Sequence, residues 1–400
     1  MKRVLAALAF ASLGCTRGQM LDLAMQGAPH PAAHRGERVG PYEILAGDTH
    51  CHILPPDAPY HVSRDLAATA KLAEEQGLDF VVLTPHVPSR FFMDTHERAW
   101  VFQTPAELRA RIAKQSTNVL FVPGMEYTDH RYGHIGLAFA EVSEVLEEVS
   151  LRSAIARPEA FFERWLAHGG TITINHPALH PIPRAPFRDL RGDLSWRGFF
   201  FDRTTLPSEV RFLTEHATAV ETYNLSIGHL RDQFFFDDED WTLRQGAHLA
   251  ERAAREQERK ITFVGGSDSH GDYLRGTTWL LAKERTKEGV RDAINAGRTC
   301  VRGPEACTFE ARSAETDWVS VGSSIPSRHE VIEVRARGGP ASFWVNGAFA
   351  GASRDGEPLE VVLPRTEGSQ AKRCALVRAI VGRSWSAPIY VDCPWSATGS

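Results

Sequence analysis

Short apolar runs alternate with amphipathic stretches along most of the chain. Between residues 41 and 303, seven runs have the length and composition of β-strands, at residues 44–46, 80–84, 119–122, 135–139, 171–174, 219–220 and 261–264. Stretches with helical periodicity separate most of them, at residues 63–76, 105–114, 158–168, 243–258 and 287–296. Because strands joined by helices run parallel, this alternation predicts an α/β fold. Seven strands favour closure into a barrel, although the pattern alone also allows an open sheet.

The pattern changes after Gly303. Strand-like runs follow one another without helices, at residues 331–336, 341–345, 359–363, 375–381 and 389–391. Turn signals lie between several of them, at Gly338-Gly339, Asn346-Gly347 and Asp355-Gly356. We therefore predict two domains: an α/β domain over residues 41–303 and a small all-β, sandwich-like domain over residues 304–400.

The first residues are typical of a bacterial export signal. Lys2 and Arg3 precede an apolar run at residues 4–13, which is too short to span a bilayer. Ser12-Leu13-Gly14-Cys15 resembles a lipobox, which predicts a signal peptide over residues 1–15 and lipidation of Cys15. A linker at residues 16–40 would then tether a periplasmic or cell-envelope lipoprotein. The alternative is a plain signal peptide that is cleaved elsewhere.

The composition indicates which class of molecule the protein binds. The chain has 400 residues, of which 42% are hydrophobic, so it can bury two cores. Its net charge of -5 offers no basic surplus for a phosphate backbone, which argues against nucleic-acid binding. We expect a small-molecule substrate, with membrane contact only through the lipid anchor.

The six cysteines allow two disulfides in an oxidising compartment. Cys374 and Cys393 flank two strand-like runs that would form a hairpin, and Cys300 lies close to Cys307. Free thiols are the alternative. Cys51 lies between two candidate ligands, but on an extended segment its side chain points away from theirs, so it is not counted as a ligand.

Histidines and carboxylates lie at nearly every predicted strand end. The first cluster is Asp48-Thr49-His50-Cys51-His52, followed by Asp57. The others are His86, Glu126, His134, His176, Glu221 and the segment Ser267-Asp268-Ser269-His270. Strand ends of a parallel α/β fold converge on one ligand-binding face, so these side chains are expected to meet.

The residue types and their number predict a multinuclear metal site. His50 and His52 are two residues apart on an extended segment, so their rings point to the same side, and Asp268 and His270 repeat this spacing. Imidazole with carboxylate suits Zn, Mn or Fe. Six histidines with three carboxylates exceed what one ion can use, which indicates two or three ions. Without metal, burying so many titratable groups together would be costly.

The order of these motifs resembles the polymerase-and-histidinol-phosphatase (PHP) family of metallohydrolases. The resemblance spans about residues 47–271 and combines D-x-H-x-H with a following Asp, T-P-H at Thr84-Pro85-His86, a Glu, a His, His176-Pro177 and a closing S-D-x-H. It implies a distorted (β/α)7 barrel. Residues 384–391 resemble the β domain of the carbaryl-hydrolase-like branch of that family.

The resemblance also implies a ligand set. The first ion would be held by His50, His52, Glu126 and Asp268. Glu126 would bridge to a second ion, bound also by His134 and His176. The third ion would be held by Asp57, His86 and His270.

Several neighbouring residues have expected supporting roles. Asp48 would orient a ligand histidine and Glu221 would support the site without binding metal. Pro85 stands where the family has Asp, so a supporting or substrate contact is expected to be lost there. His130 and Arg275 are candidates for contact with an anionic substrate, and ordinary surface charge is the alternative for both.

These features predict a metal-dependent hydrolase, a phosphoesterase that uses water activated by two or three divalent ions and no side-chain nucleophile. The sequence contains neither a G-x-S-x-G turn nor a P-loop. A carboxylic ester or carbamate hydrolase with the same site is one alternative. A catalytically inactive, membrane-tethered binding module is the other.

Overall fold

The computed structural model describes residues 25, 37–57, 59, 62–88, 107–129, 132–177, 208–229, 240–327, 329–364 and 374–397. The predicted signal segment with Cys15, most of the predicted linker, and His130 lie outside the described residues. Parts of the predicted linker belong to the fold: Met25 is buried in the core, and a strand begins at Arg38.

The first part of the chain is a mixed α/β structure. Its strands are β1 (Arg38–Val39), β2 (Tyr42–Cys51), β3 (Phe80–Leu83), β4 (His86–Pro88), β5 (Leu120–Asp129), β6 (Gly133–Ala138), β7 (Thr171–Ile174), β8 (Ala219–Asn224), β9 (Thr262–Gly266), β10 (Thr278–Ala282) and β11 (Thr299–Val301). Each of the seven predicted strands overlaps one of these. The predictions missed β1, β4, β10 and β11.

The helices lie between these strands. They are α1 (Leu66–Glu75), α2 (Val142–Glu148), α3 (Leu151–Ala156), α4 (Pro158–Ala167), α5 (Ser208–His216), α6 (Asp240–Gln257) and α7 (Lys287–Asn295), with a further helical run at residues 107–112. All five predicted helices overlap an observed one. Side-chain caps set three of the starts: Asp65 accepts from the Ala68 amide, Ser150 from the Ser153 amide, and Thr286 from the Gly289 amide.

The sheet combines parallel pairs with antiparallel ones, and β10 runs antiparallel to both β2 and β11. Parallel pairs join β2 to β3, β3 to β5, β4 to β5, β7 to β8 and β8 to β9. The expectation of uniformly parallel strands was wrong for β6, which runs antiparallel to both β5 and β7. Only three residues separate β5 from β6, too few for the crossover that a parallel pair requires. An isolated parallel bridge, Cys51 to Ser269, connects the segment after β9 with β2.

The last part of the chain consists of short strands. They are β12 (Glu310–Arg312), β13 (Val319–Ser320), β14 (Ser324–Ile325), β15 (Val331–Arg335), β16 (Ala341–Val345), β17 (Ala348–Ser353), β18 (Leu359–Val362), β19 (Ala375–Val381), β20 (Ser384–Ser386) and β21 (Ile389–Val391). The Asn346-Gly347 signal is confirmed as the β16–β17 hairpin, with positive φ at both turn residues.

These strands form two sheets. Strands β13, β12, β15 and β18 make a separate four-stranded sheet, and the others continue the large sheet of the first part. The continuation crosses the predicted boundary at residue 303, because β11 pairs with β20 through Cys300 and Ser386. The domain boundary itself stays a prediction.

Both predicted cysteine pairs are joined as disulfides, Cys300 with Cys307 and Cys374 with Cys393. Cys51 is the free cysteine among the described residues, and it is buried. No helix of the described residues is long and apolar enough to cross a bilayer.

Helix α6 packs against both the first and the last part of the chain. On one side Gly246 lets the helix lie against β8, since a Cβ there would come within 2.8 Å of Thr222 Cα. On the other side Glu251 forms a buried ion pair with Arg378 of β19, at 3.0 Å, and the guanidinium also lies over the ring of Trp385. Burial lowers the pKa of Arg378, and Glu251 opposes that shift.

We expect Arg378→Met to lower the free energy of unfolding by about 3–5 kcal/mol, because it leaves the Glu251 carboxylate buried without its partner. Adding Glu251→Leu should recover most of that loss. Urea unfolding measures both. The matched control is Glu75→Ala, which breaks the exposed Lys71–Glu75 pair and should change stability by less than about 1 kcal/mol. An Arg378→Met variant as stable as this control would show that the pair contributes nothing.

Candidate metal centre

The candidate ligands meet at one edge of the sheet. They lie at or just beyond the carboxyl ends of β2, β3, β7, β8 and β9, and in the second half of β5. His134 lies at the start of β6. If β6 ran parallel to β5, its start would lie at the opposite edge of the sheet. Because β6 is antiparallel, its amino end returns to the same edge, and His134 stands opposite Thr128 of β5.

The first predicted set is brought together around the ring nitrogens of two histidines. The Nε2 atoms of His50 and His52 lie 3.2 Å apart. His50 Nε2 is 3.1 Å from Glu126 Oε1, and Asp268 Oδ1 is 3.5 Å from His50 Nε2 and 3.3 Å from His52 Nε2. All four residues converge on one small volume.

The second predicted set shares Glu126 with the first. Glu126 Oε1 lies 3.1 Å from His134 Nδ1 and 3.5 Å from His176 Nε2. Glu126 Oε1 therefore lies within 3.5 Å of ring nitrogens from His50, His134 and His176, and Glu126 belongs to both donor groups. That is the arrangement expected of a bridging carboxylate.

The third predicted set is assembled only in part. His86 and His270 group with His52, and one ring nitrogen of each lies within 4.8 Å of the other two. Asp57 instead lies on the Nδ1 side of two rings: Oδ1 is 2.9 Å from His86 Nδ1 and Oδ2 is 3.2 Å from His52 Nδ1. Asp57 also accepts from the His86 amide. In this geometry the Asp57 carboxylate orients two imidazoles, whereas the prediction made it a ligand.

Asp48 and Glu221 support the cluster in different ways. Asp48 accepts hydrogen bonds from the amides of His50 and Ser267, both at 2.9 Å, and from the Ser267 hydroxyl, so it ties two strand ends together by their backbones. Burial raises the pKa of Asp48 to about 6. Asp48 thus acts on the backbone of His50, whereas the His50 ring is held by Glu221, whose Oε1 lies 3.1 Å from His50 Nδ1. Glu221 Oε2 accepts from the His176 amide at 2.7 Å.

Electrostatics inside the cluster are dominated by opposite charges held at close range. Burial alone would raise the pKa of Glu126, but His134 and His50 hold it well below its usual value. In the same way, burial opposes charge on His50, yet Glu126 and Asp268 raise its pKa well above the usual value. The carboxylates therefore stay ionised and favour a cation at the centre.

The residues fit a group of metal ions. Several buried side-chain atoms of the cluster have no hydrogen-bond partner among the described residues, and Glu126 Oε2, His134 Nε2 and His176 Nδ1 are among them. Buried polar atoms are otherwise nearly always paired. Imidazole nitrogens with carboxylate oxygens are a donor set for borderline divalent metals. The histidine and glutamate groups thus fit a multi-metal site and a metal-dependent hydrolase.

Sequence reasoning missed several residues that hold the cluster in place. Asn175 donates to Glu126 Oε1 at 2.9 Å, and its position directly before His176 was a usable signal. Tyr273 donates through its hydroxyl to the Asp268 carbonyl at 2.9 Å, and the buried Arg64 guanidinium donates to the carbonyls of Gly271 and Tyr273. No sequence pattern marked these two. Together they support a segment in which Asp268 has φ of 52°, a left-handed conformation.

The remaining predicted residues have these positions. Cys51 faces Arg64, at 3.3 Å, and burial raises its pKa to about 12, which agrees with its exclusion as a ligand. The Pro85 carbonyl accepts from the Glu126 amide at 2.9 Å. Arg275 is nearly buried and donates to the Leu274 carbonyl, so its substrate contact stays a prediction.

Comparison with known proteins adds only distant structural likenesses. No protein-family model matches the chain, and no curated protein sequence matches it. Among solved structures, it is similar to a two-domain protein from Bacteroides vulgatus that contains a predicted PHP-like metal-dependent phosphoesterase, with 16% identity, 91% of this chain and 98% of that chain covered, and a TM-score of 0.45.

Endonuclease Q is a second neighbour. Its complex with a 27-mer duplex carrying an abasic lesion is matched at 16% identity over 63% of this chain and 56% of that chain, with a TM-score of 0.35. The lesion-specific endonuclease of Pyrococcus furiosus is matched at 16% identity over 69% and 64%, with a TM-score of 0.36. At these scores the likenesses carry no argument about chemistry, which rests on the chain's own residues.

We expect His52→Ala to abolish metal retention, because its Nε2 takes part in two of the donor groups. Metal content after gentle purification measures this. The control is His168→Ala, which removes a partly exposed histidine that contacts Glu148 on the surface. Equal metal content in the His52 variant and the wild type would contradict the assignment.

Gly266→Ala should also release metal. A Cβ at position 266 would lie 2.1 Å from Glu221 Oε1 and 2.3 Å from His50 Cβ, so Glu221 could no longer hold the His50 ring. Gly170→Ala is the control, because its Cβ would clash with Trp165 to a similar degree outside the site. Both variants should lose thermal stability, but only Gly266→Ala should lose metal. Loss of metal in neither variant would count against the role of Glu221.

Proposed function

We propose that the chain is a metal-dependent hydrolase of the PHP type that cleaves small anionic phosphoesters at this edge of the sheet. The proposal includes closure of the strands of residues 41–303 into a distorted (β/α)7 barrel, with residues 304–400 as an appended sandwich-like domain. One observation carries it: Glu126 belongs both to the donor group with His50 and His52 and to the donor group with His134 and His176. A shared carboxylate between two imidazole groups suits adjacent divalent ions.

The protein's own groups would bind and orient. His50, His52, Glu126 and Asp268 would hold one ion, and Glu126, His134 and His176 a second. His86 and His270 would hold a third. Two or three bound divalent ions, whether Zn, Mn or Fe, would polarise the phosphoryl group and lower the pKa of water.

The supporting carboxylates would fix which nitrogen of each ring faces the centre. Glu221 at His50 Nδ1 and Asp57 at His52 Nδ1 and His86 Nδ1 direct the Nε2 atoms of these rings inward. Such partners fix the tautomer and raise the basicity of a ligand histidine. No side-chain nucleophile is assigned.

Two rival functions keep the same fold. Carboxylic ester or carbamate cleavage would use the same residues. Its sequence support is residues 384–391, which form β20 and β21, and there Trp385, Ile389 and Tyr390 are buried in the fold. An inactive binding module was suggested by Pro85, but His86 and Glu126 remain beside it.

We also propose that the protein is exported to the bacterial cell envelope and anchored through Cys15. The two disulfides support an oxidising compartment, since such bonds are rare in the cytosol.

We expect purified, metal-loaded protein to hydrolyse para-nitrophenyl phosphate or bis-para-nitrophenyl phosphate. A chelator should remove this activity, and added divalent metal should restore it. The same preparations are assayed on 1-naphthyl acetate. Turnover of the acetate alone would replace the phosphoesterase with the ester hydrolase, and turnover of none by the metal-loaded protein would favour the binding module.

A further inference from the structure

Thr128 lies on the same face of β5 as Glu126. Side chains alternate along a strand, so residues 126 and 128 point to one side and Tyr127 to the other. Tyr127 packs in the hydrophobic core, with its ring 5.3 Å from that of Phe162. Thr128 therefore faces the metal centre and stands directly opposite His134 in the β5–β6 pair.

The Thr128 hydroxyl is buried and has no hydrogen-bond partner among the described residues, although the residue is only 8% exposed. Other buried threonines of the sheet are paired: Thr278 donates to the Gly265 carbonyl at 2.7 Å, and Thr299 donates to the Phe263 carbonyl at 2.6 Å. Leaving a buried hydroxyl unpaired costs stability, and a valine of the same shape would avoid that cost. Packing alone therefore does not account for a threonine here.

We propose that the Thr128 hydroxyl binds the substrate, donating a hydrogen bond to an oxyanion held beside Glu126, His134 and His176. The inference rests on the proposed phosphoesterase function and adds to it a residue that contacts the phosphoryl group. A phosphoryl oxygen is the matching acceptor, because hydrogen bonds to a charged oxygen are the strong ones. On that face of β5, Thr128 is the next side chain after Glu126. It stands opposite His134, which forms a donor group with Glu126 and His176.

The test measures binding of inorganic phosphate to the full-length, metal-loaded protein by isothermal titration calorimetry. Thr128→Val should weaken phosphate binding about 10- to 100-fold, the range expected for one hydrogen bond to a charged group. Its metal content should stay unchanged, and its thermal stability should be equal to or above that of the wild type. Thr128→Ser, which keeps the hydroxyl, should bind phosphate within about threefold of the wild type.

Thr262→Val is the matched control. Thr262 is a buried residue at the amino end of β9, the end away from the metal centre. Its hydroxyl donates to the Ile294 carbonyl at 2.6 Å. This variant should lose stability and keep its phosphate affinity, the reverse of Thr128→Val.

Three results would overturn the inference. Thr128→Val could bind phosphate as well as the wild type while both hydrolyse phosphoesters, which refutes the inference and leaves the proposed function standing. It could lose metal, which would make Thr128 a support of the metal site. Finally, a metal-loaded wild type that neither binds phosphate nor cleaves phosphoesters would refute both the proposed function and the substrate role of Thr128.

Discussion

The structure depends on one electrostatic constraint: five buried histidines, the partly exposed His86 and several carboxylates lie together at one edge of a sheet. Glu126 is at the centre of this group, within 3.1 Å of nitrogens from His50 and His134. Such a cluster is tolerable only when opposite charges are paired or a cation is held among them. Asp57 and Glu221 supply that compensation at the Nδ1 atoms of the histidine rings. Asp48 accepts hydrogen bonds from the backbone amides of His50 and Ser267.

The same constraint explains local features that would otherwise be unfavourable. An antiparallel β6 within a parallel-rich sheet brings His134 to the ligand edge. Glycine at 266 leaves room for Glu221 beside His50. Asp268 keeps a left-handed backbone, which is held by the Tyr273 hydroxyl and, through Gly271, by Arg64. Strained backbone at a functional site is stable only when its neighbours define it this closely.

Much of this was predictable because chemistry and periodicity coincide in the sequence. His50 and His52 follow an apolar run, and so does Asp268, so strand ends and ligands could be recognised together. The direction of β6 was not predictable from periodicity, which is the same for parallel and antiparallel strands. The orientation of Asp57 toward two Nδ1 atoms depends on side-chain positions that spacing does not determine. Arg64 acts through a hydrogen bond to a residue more than 200 positions away in the sequence, and Tyr273 acts through a hydrogen bond within a loop. Neither contact produces a local sequence pattern.

The most direct test of the central claim is to count and place the bound ions. Anomalous diffraction from crystals of gently purified protein, recorded at the Zn, Mn and Fe absorption edges, locates each ion and identifies it. The account predicts two or three anomalous peaks, one of them within bonding distance of His50, His52, Glu126 and Asp268, and another between Glu126, His134 and His176. No peak at Glu126, in crystals where these side chains are well ordered, would contradict it.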